Sequence, residues 1–366
     1  MSMSKDQPVA VLGGGNGGCA LAADLGARGH AVHLYEHPDF AQGIRAILGR
    51  RVIRMSGALG EKEVAVRLVT TDLEAAIAGV DLINVVVPST GQEPFLSALA
   101  RLVRPSQTVV IWAGRFGALE LLRLIRAQSP GGKLPLIVEV DTLPYGARKP
   151  APDSVRILYT STRLIAGAIP AARSEEAADL LRRFFPEARA VANVLAAAFC
   201  NPALVVYGIG ALLNAARIEH MKGEFFLFSE GITPAVAAVM RGAYGEMMQV
   251  AKAYDCEIPS FPSEAFDGPL SLEGACFESP QGAAGFAAMD GPRDVRGRYM
   301  MENIGDALAP IAELGAKAGV QTPLLDAIVT LGSTVCGVDF RAKGRNLARL
   351  GIGQASVREI VQLISQ

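Results

Sequence analysis

The sequence predicts a two-part chain, an α/β half built on a doubly wound parallel sheet followed by an all-α half. Three observations carry this. The glycine run Gly13-Gly14-Gly15-Asn16-Gly17-Gly18 sits between the apolar run Val9–Leu12 and an apolar helical pattern, Cys19–Leu25. Short, nearly all-apolar runs then alternate with helical stretches up to about residue 190, as strands buried on both faces should. From about residue 193 strand signals stop and only helical periodicity continues. The domains are therefore 1–190 and 191–366.

In chain order, the first strand and its glycine turn lead through the helix into a second apolar run, His30–Tyr35, closed by Glu36. Phe40–Arg50 reads helical. Arg51–Met55 and Glu63–Leu68 alternate like hairpin strands about a glycine-containing turn. Val69–Thr71 is a short strand, and Asp72 can cap the helix Leu73–Ala78. Asp81–Val87 is a central strand ending at Pro88-Ser89-Thr90-Gly91, and the helix Pro94–Leu102 follows. Strands Thr108–Trp112 and Pro135–Val140 flank the helix Leu119–Ala127. Beyond the breaker cluster Lys149-Pro150-Ala151-Pro152 lie two more strands, Val155–Tyr159 and Thr162–Ala166, and the helix Glu175–Phe184. The second half reads as helices over Val194–Cys200, Pro202–Glu219, Pro234–Tyr254, Ile304–Ala318, Leu324–Cys336 and Ser356–Ile364. Asn201-Pro202 and Thr233-Pro234 each pair a capping side chain with proline at the first helical position. A loop-rich stretch from Ile258 to Arg296 joins two parts of this half.

Strand, glycine turn, helix, second strand and terminal acid together make the dinucleotide-binding unit of a Rossmann-type domain. A bare glycine pattern is weak, and its bland reading is a turn without a ligand. Here every flanking part is present. Gly13 permits the tight turn, Gly15 admits the pyrophosphate, and Gly18 brings helix and strand close. Asn16, Gly17 and Gly18 place N–H groups at the helix start. Glu36 stands where a carboxylate accepts ribose hydroxyls and repels a 2′-phosphate, so NAD is favoured. His37 beside it keeps NADP open. Pro88 lies in a loop at the carboxyl end of a central strand, where such sheets hold ligands.

Composition narrows the partners. The 366 residues are half hydrophobic and 19% charged, with a formal charge of −1, which excludes disorder and gives no basic surplus for nucleic acid or an anionic membrane. Met1–Pro8 lacks the apolar core of a signal peptide. Asn193–Leu213 is long enough to span a bilayer, but Asn201-Pro202 interrupts it mid-chain, so a buried helix pair is expected. Cys19, Cys200, Cys256, Cys276 and Cys336 are scattered, and the chain has four histidines. Both facts argue for free thiols in a reducing cytoplasm and against a zinc site. A homodimer interface and a large monomeric core fit the apolar helical half equally.

Chemistry in the second half centres on Asn201–Glu219. Tyr207, Ala211, Asn214 and Ile218 share one helical stripe. Gly208 and Gly210 each weaken the helix by roughly 1 kcal/mol relative to alanine. Small residues there call for close approach by a backbone or a ligand. A packed core helix with a tyrosine reaching a buried carbonyl reads as well.

The chain resembles the opine dehydrogenase family, the octopine and nopaline dehydrogenases and their relatives. The resemblance is carried by Val9–Gly18, Val85-Val86-Val87-Pro88, Glu139 with Thr142-Leu143-Pro144-Tyr145, Leu212-Leu213-Asn214 with Arg217-Ile218-Glu219, Ser229–Pro234, and Arg298-Tyr299 with Glu302. It spans nearly the whole chain. It implies reductive condensation of an α-keto acid with an amino acid or amine, through an imine that NAD(P)H reduces to a secondary amine. It also implies that the nicotinamide lies between the two domains. In the family a histidine, commonly as His-Pro, precedes the Leu-Leu-Asn turn. It pairs with an aspartate that follows the Arg-Tyr-x-x-Glu run, and the arginine of that run binds carboxylate.

Here the arginine is kept as Arg298, but Tyr207 stands at the histidine position and Asn303 at the aspartate position. A phenol, with a reference pKa of about 10, and an amide cannot shuttle protons near neutrality as histidine and aspartate do. Paired replacement keeps a hydrogen-bonded contact, whereas a single loss strands its partner at about 1–3 kcal/mol. The expected catalytic residues are therefore Tyr207, Asn303 and Arg298. His220 would face away from Tyr207 on a continuous helix, and Arg293 and Arg296 read as surface. No lysine lies between Asn201 and Glu219, unlike the helical-domain lysine of hydroxyacid and glycerol-phosphate dehydrogenases. Two other readings stand beside this one. They are a keto acid or imine reductase without an amine co-substrate, and a non-catalytic NAD-binding protein.

Overall fold

The computed structural model describes residues 7–201, 203–259, 261 and 290–365. Cys276, Pro202 and most of the expected loop from 258 to 296 lie outside them. The chain divides into two compact units, Met1–Ala190 and Val191–Gln366.

The first unit is wound as expected. Its main sheet runs β12-β11-β8-β7-β6-β1-β2-β5. The strands are β1 (Val9–Leu12), β2 (Val32–Tyr35), β5 (Leu68–Thr70), β6 (Leu82–Val85), β7 (Thr108–Trp112), β8 (Leu136–Val140), β11 (Leu164–Ile169) and β12 (Ala188–Ala190). Six of them, from β5 through β8, are parallel, and every residue of β1, β2, β6 and β8 is buried. The chain leaves β1 for β2 on one side and returns to β6 on the other, so strand order reverses between β1 and β6. That reversal opens a crevice at the carboxyl ends of the two strands. The wholly parallel expectation holds only as far as β8. There β11 pairs antiparallel, because β8 and β11 belong to no βαβ crossover.

The hairpin expected from residues 51–68 is also only part of the account. β3 (Val52–Gly57) and β4 (Lys62–Ala65) do pair, but they join β10 (Ser154–Thr160) and β9 (Tyr145–Arg148) in a second, four-stranded sheet, β4-β3-β10-β9. This sheet covers helix α1 (Asn16–Ala27), whose other side lies on the main sheet. All residues from Gly18 to Leu25 are buried as a result. A helix enclosed on both faces needs small apolar residues all round rather than a stripe, and Gly-Cys-Ala-Leu-Ala-Ala supplies them.

The one charged residue among them, Asp24, is met by the Tyr145 hydroxyl and by Arg28, 2.6 Å away. Burial, first of all, and Asp24 push the Tyr145 phenol well up. The stretch Phe40–Arg50 divides into a tight 3₁₀ segment, Pro38–Ile44, and a short helix, α2 (Arg45–Arg50). Pro38 opens the first, and the left-handed Arg51 ends the second.

At the carboxyl end of β8, Asp141 is buried beside Arg163 at 3.1 Å and accepts the Ile165 N–H at 2.8 Å. Burial outweighs both partners and pushes its carboxyl up to about 6. The folded chain therefore binds this proton more tightly than the unfolded chain, whose aspartates titrate near about 4. The group's stabilising contribution is complete below the unfolded value and is lost as pH rises through about 6. Urea titrations at pH 5 and pH 7 should show wild type gaining more stability on acidification than Asp141→Asn. Equal gains in the two proteins would remove Asp141 as the source.

The second unit is helical among its described residues, apart from one isolated bridge between Phe226 and Asp290. It begins with α7 (Val194–Phe199), capped by Asn193, and α8 (Ala203–Leu213), whose first N–H is accepted by Asn201. Val194–Leu213 is long and apolar enough to cross a membrane, yet its described residues are mostly buried within the protein. The expected single helix to Glu219 breaks at Asn214, and α9 (Ala215–Met221) continues after a turn. The Asn214 side-chain amide donates to the Gly210 and Gly231 carbonyls, at 2.9 and 3.0 Å, and so ties the end of α8 to the Ser229–Pro234 loop, while its main-chain N–H turns to the Ala211 carbonyl at 3.2 Å. Arg217 pairs with Glu230 of the same loop. Further on, α10 (Pro234–Ala253), capped by Thr233, packs on α8. Arg298–Met300, the π-helical Met301–Leu308 and Ala309–Lys317 follow one another without a break. This stretch begins six residues before the expected helix at Ile304.

Candidate functional site

The glycine turn lies at the carboxyl end of β1, on the crevice side. Gly13 has φ +111, and its N–H donates to the Tyr35 carbonyl at 2.8 Å. A Cβ there would stand 2.6 Å from the Val86 carbonyl, so only glycine lets the turn pass the end of β6. A Cβ on Gly18 would collide with the Gly13 carbonyl. Gly15 differs: nothing lies within 4 Å of its Cβ position, and both it and Asn16 are exposed. Gly15 precedes α1 without a side chain to cap it, and the first turn carries no acid. The positive helix end and its N–H groups thus face an open cradle, which fits a dinucleotide pyrophosphate.

Glu36 is placed beside this turn by the end of β2. One carboxylate oxygen accepts the Gly14 N–H at 2.8 Å, and the other accepts its own neighbour's, His37 N–H, at 3.0 Å. Burial pushes its carboxyl up, opposed by those two N–H groups and by the nearby Lys149 ammonium. A carboxylate fixed in this way can still accept ribose hydroxyls through its remaining lone pairs. Pro88 follows β6 and starts a 3₁₀ turn, Ser89–Gly91, with the Gly91 N–H on the Pro88 carbonyl. Gln92, wholly buried, fastens the turn by donating to the Val87 carbonyl at 3.0 Å.

At the crevice edge the sequence marks a glycine turn at Gly114, but not the strain in it. After β7 the chain holds Ala113, Arg115 and Phe116 in left-handed conformations, with φ of 49, 50 and 69°. The buried Glu139 of β8 braces this loop. Its carboxylate accepts the N–H groups of Phe116, at 2.6 Å, and Ala118, at 2.9 Å, at the start of helix α5 (Gly117–Gln128). Glu139 thus caps a helix from a neighbouring strand.

In the helical unit the three expected catalytic residues come from two elements that pack together. Tyr207 lies on α8, and Arg298 and Asn303 lie on the helical stretch 298–317. Gly208 is where the backbones close up. A Cβ there would meet Ile304 and Asn303 at 3.0 and 3.1 Å. The small residue therefore serves a neighbouring helix. The Tyr207 ring stands 4.7 Å from that of Tyr299 and edge-on to Phe228 at 5.6 Å. Asn303 is buried, and its amide donates to the Tyr299 carbonyl at 2.9 Å. Arg298 Nε meets the buried Glu302 at 2.8 Å while its side chain stays 58% exposed, so the guanidinium is oriented and still reachable. The π-helical Met301–Leu308 is buried from Glu302 to Leu308, and its polar residues Glu302, Asn303 and Asp306 lie inside with the apolar ones. His220 and Glu219 are exposed.

Two family models match the chain. Residues 190–336 match the α-helical domain of NAD/NADP octopine/nopaline dehydrogenases, and residues 8–116 match the N-terminal domain of NAD-dependent glycerol-3-phosphate dehydrogenases. An opine dehydrogenase of Arthrobacter sp. (strain 1C) is 30% identical over 364 residues, which cover 98% of this chain and 100% of that protein. Among solved structures, octopine dehydrogenase with NADH and pyruvate superposes with a TM-score of 0.69 at 20% identity, covering 97% of each chain. Yersinopine dehydrogenase with NADP+ superposes with a TM-score of 0.68 at 15% identity, covering 100% of this chain and 99% of the other.

Proposed function

The chain belongs to the opine dehydrogenase family, and from that premise we propose how its own residues divide the work. It is an NAD(P)-dependent oxidoreductase acting on a CH–NH bond, and it joins an α-keto acid to an amino acid or amine by reductive condensation. The observation that carries this is a match over the full length of both units. Octopine dehydrogenase has been solved with pyruvate, with L-arginine and with agmatine, which supports a keto acid and an amino acid or amine as the partners here.

In our reading Gly13, Gly15, Asn16, Gly17 and Gly18 hold the pyrophosphate, Glu36 holds the adenosine ribose and favours NAD, and Pro88 closes the crevice. The reduced nicotinamide supplies the hydride. Everything else falls to the chain. Arg298, steadied by Glu302, receives the keto acid carboxylate as a charge-assisted pair. When the amine adds to the keto carbon, water must leave, and its oxygen needs a proton. The Tyr207 hydroxyl donates it, and the proton that the substrate ammonium gives up before its nitrogen attacks restores the phenol. Tyr299 and Phe228 wall the phenol, and Asn303 supports it by fixing the Tyr299 main chain. Cys19, Cys200, Cys256 and Cys336 are buried free thiols, in keeping with a reducing cytoplasm.

The test is NADH consumption with α-keto acids, each alone and paired with amino acids and amines. Turnover that needs both partners is expected. Turnover with keto acid alone would make the protein a simple reductase. NADH binding without turnover on any pair would favour a binding protein, the reading that the exchange of the family's histidine and aspartate recommends. A second expectation concerns pH. With no histidine in the proton-transfer centre, kcat should stay level between about pH 6 and pH 8, and an acidic limb near about 6.5 would place a histidine in the reaction after all.

A further inference from the structure

Lys149 is the residue whose placement goes furthest beyond this reading. It follows β9, in the second sheet, 135 residues from the glycine turn it touches. Its ammonium donates to the Gly14 carbonyl at 3.0 Å and to the Gly43 carbonyl at 2.8 Å. Its main-chain N–H donates to the Asn16 side-chain oxygen at 3.0 Å. The Cys19 thiol reaches the same Gly14 carbonyl at 3.2 Å. On the other side of the residue, the Gly14 N–H is held by Glu36.

These contacts determine where the next donor points. In a trans peptide the C=O of one residue and the N–H of the next face opposite ways. The Gly14 carbonyl is drawn back toward Lys149 and Cys19, so the Gly15 N–H is turned the other way. Gly15 is exposed and its Cβ position is open. Without the ammonium, one weak thiol contact would remain on that carbonyl, and a peptide between two glycines can turn over at little steric cost.

We propose that Lys149 is a positioning residue for the dinucleotide, holding the Gly14–Gly15 peptide so that the Gly15 N–H meets the pyrophosphate. It touches loop carbonyls rather than ligand. Its main effect therefore falls on phosphate-bearing ligands, and it reaches the 2′-position only through its field on Glu36. The proposal rests on the dinucleotide reading of the glycine turn, and ADP binding to the wild-type chain tests that reading first.

The experiment measures the affinities of ADP, adenosine, NADH and NADPH for wild type, Lys149→Met and Lys149→Arg, together with the melting temperature of each protein without ligand. Lys149→Met should weaken ADP, NADH and NADPH alike by about tenfold, the effect of about one charge-assisted hydrogen bond, and leave adenosine within about twofold. Lys149→Arg keeps the cation, and its loss of ADP affinity should be smaller. Should Lys149→Met not fold, the ratio of ADP to adenosine affinity in Lys149→Arg decides the matter. Equal weakening of ADP and adenosine would overturn the proposal, making Lys149 a support of the Gly43 loop. Weakening of NADPH alone would overturn it too, making Lys149 a direct 2′-phosphate ligand. Wild-type protein that binds neither ADP nor NADH would remove the dinucleotide reading and the proposal together.

Discussion

Gly18→Ala is expected to abolish useful NADH binding and to destabilise the α/β unit. The added methyl runs into the Gly13 carbonyl, which is main chain and has the ends of β1 and β6 around it. No side-chain rotation relieves that collision, so α1 must move away from the sheet. Overpacking of this kind costs about 1–3 kcal/mol, and enclosure of α1 between two sheets puts this site at the upper end. The same shift withdraws the N–H groups of the first helical turn. Loss of two charge-assisted hydrogen bonds amounts to about a hundredfold in affinity. NADH fluorescence titration and a urea melt check both parts. A variant that bound NADH normally would show that the helix start does not hold the cofactor. Gly15→Ala is the informative companion, because its Cβ enters open space: it should leave stability intact and act on binding alone.

Glu139→Ala should cost about 3 kcal/mol of stability, a large loss for one polar side chain. Two N–H groups at the start of α5 lose their acceptor, and three left-handed residues lose the group that braces them. Each such residue carries a conformational cost of about 1–3 kcal/mol that its surroundings must sustain. Glu139→Gln keeps one acceptor oxygen and should lose less. The shift in urea midpoint at constant slope reports the difference. If alanine costs nothing, the desolvation of the buried carboxylate cancels its hydrogen bonds, as happens for some buried charges.

The parts of this fold legible in the sequence are those written in local chemistry. Gly13, Gly15, Gly18 and Glu36 carry their spacing with them, and β1, β2, β6, β7 and β8 announce themselves as apolar runs. Asp72, Asn193 and Thr233 cap helices, as such residues do. What was not legible depends on partners far along the chain. The strands β3 and β10 look alike by pattern, and nothing in either shows that they pair with each other across a hundred residues. Asn214 reads as one more position in a helix until the Gly231 carbonyl is there to take its side-chain amide. Lys149 reads as one charge in a breaker cluster, and the resemblance marks Glu139 without showing that it caps α5. In the candidate site, sequence brought Tyr207, Arg298 and Asn303 forward, but the aromatic neighbours of Tyr207 and the Glu302 partner of Arg298 depend on how α8 meets a widened helix.

The second sheet also bears on the order in which this protein can assemble. Its strands come from two separate stretches, 52–65 and 145–160, and α1 is covered only when both have met. A nascent chain that has emerged through β8 already holds all six parallel strands, yet one side of α1 is still half bare, and Lys149 has not arrived. Pairing across so long a separation is slow. The nucleotide turn thus waits for residues 145–160, although it lies near the start of the chain.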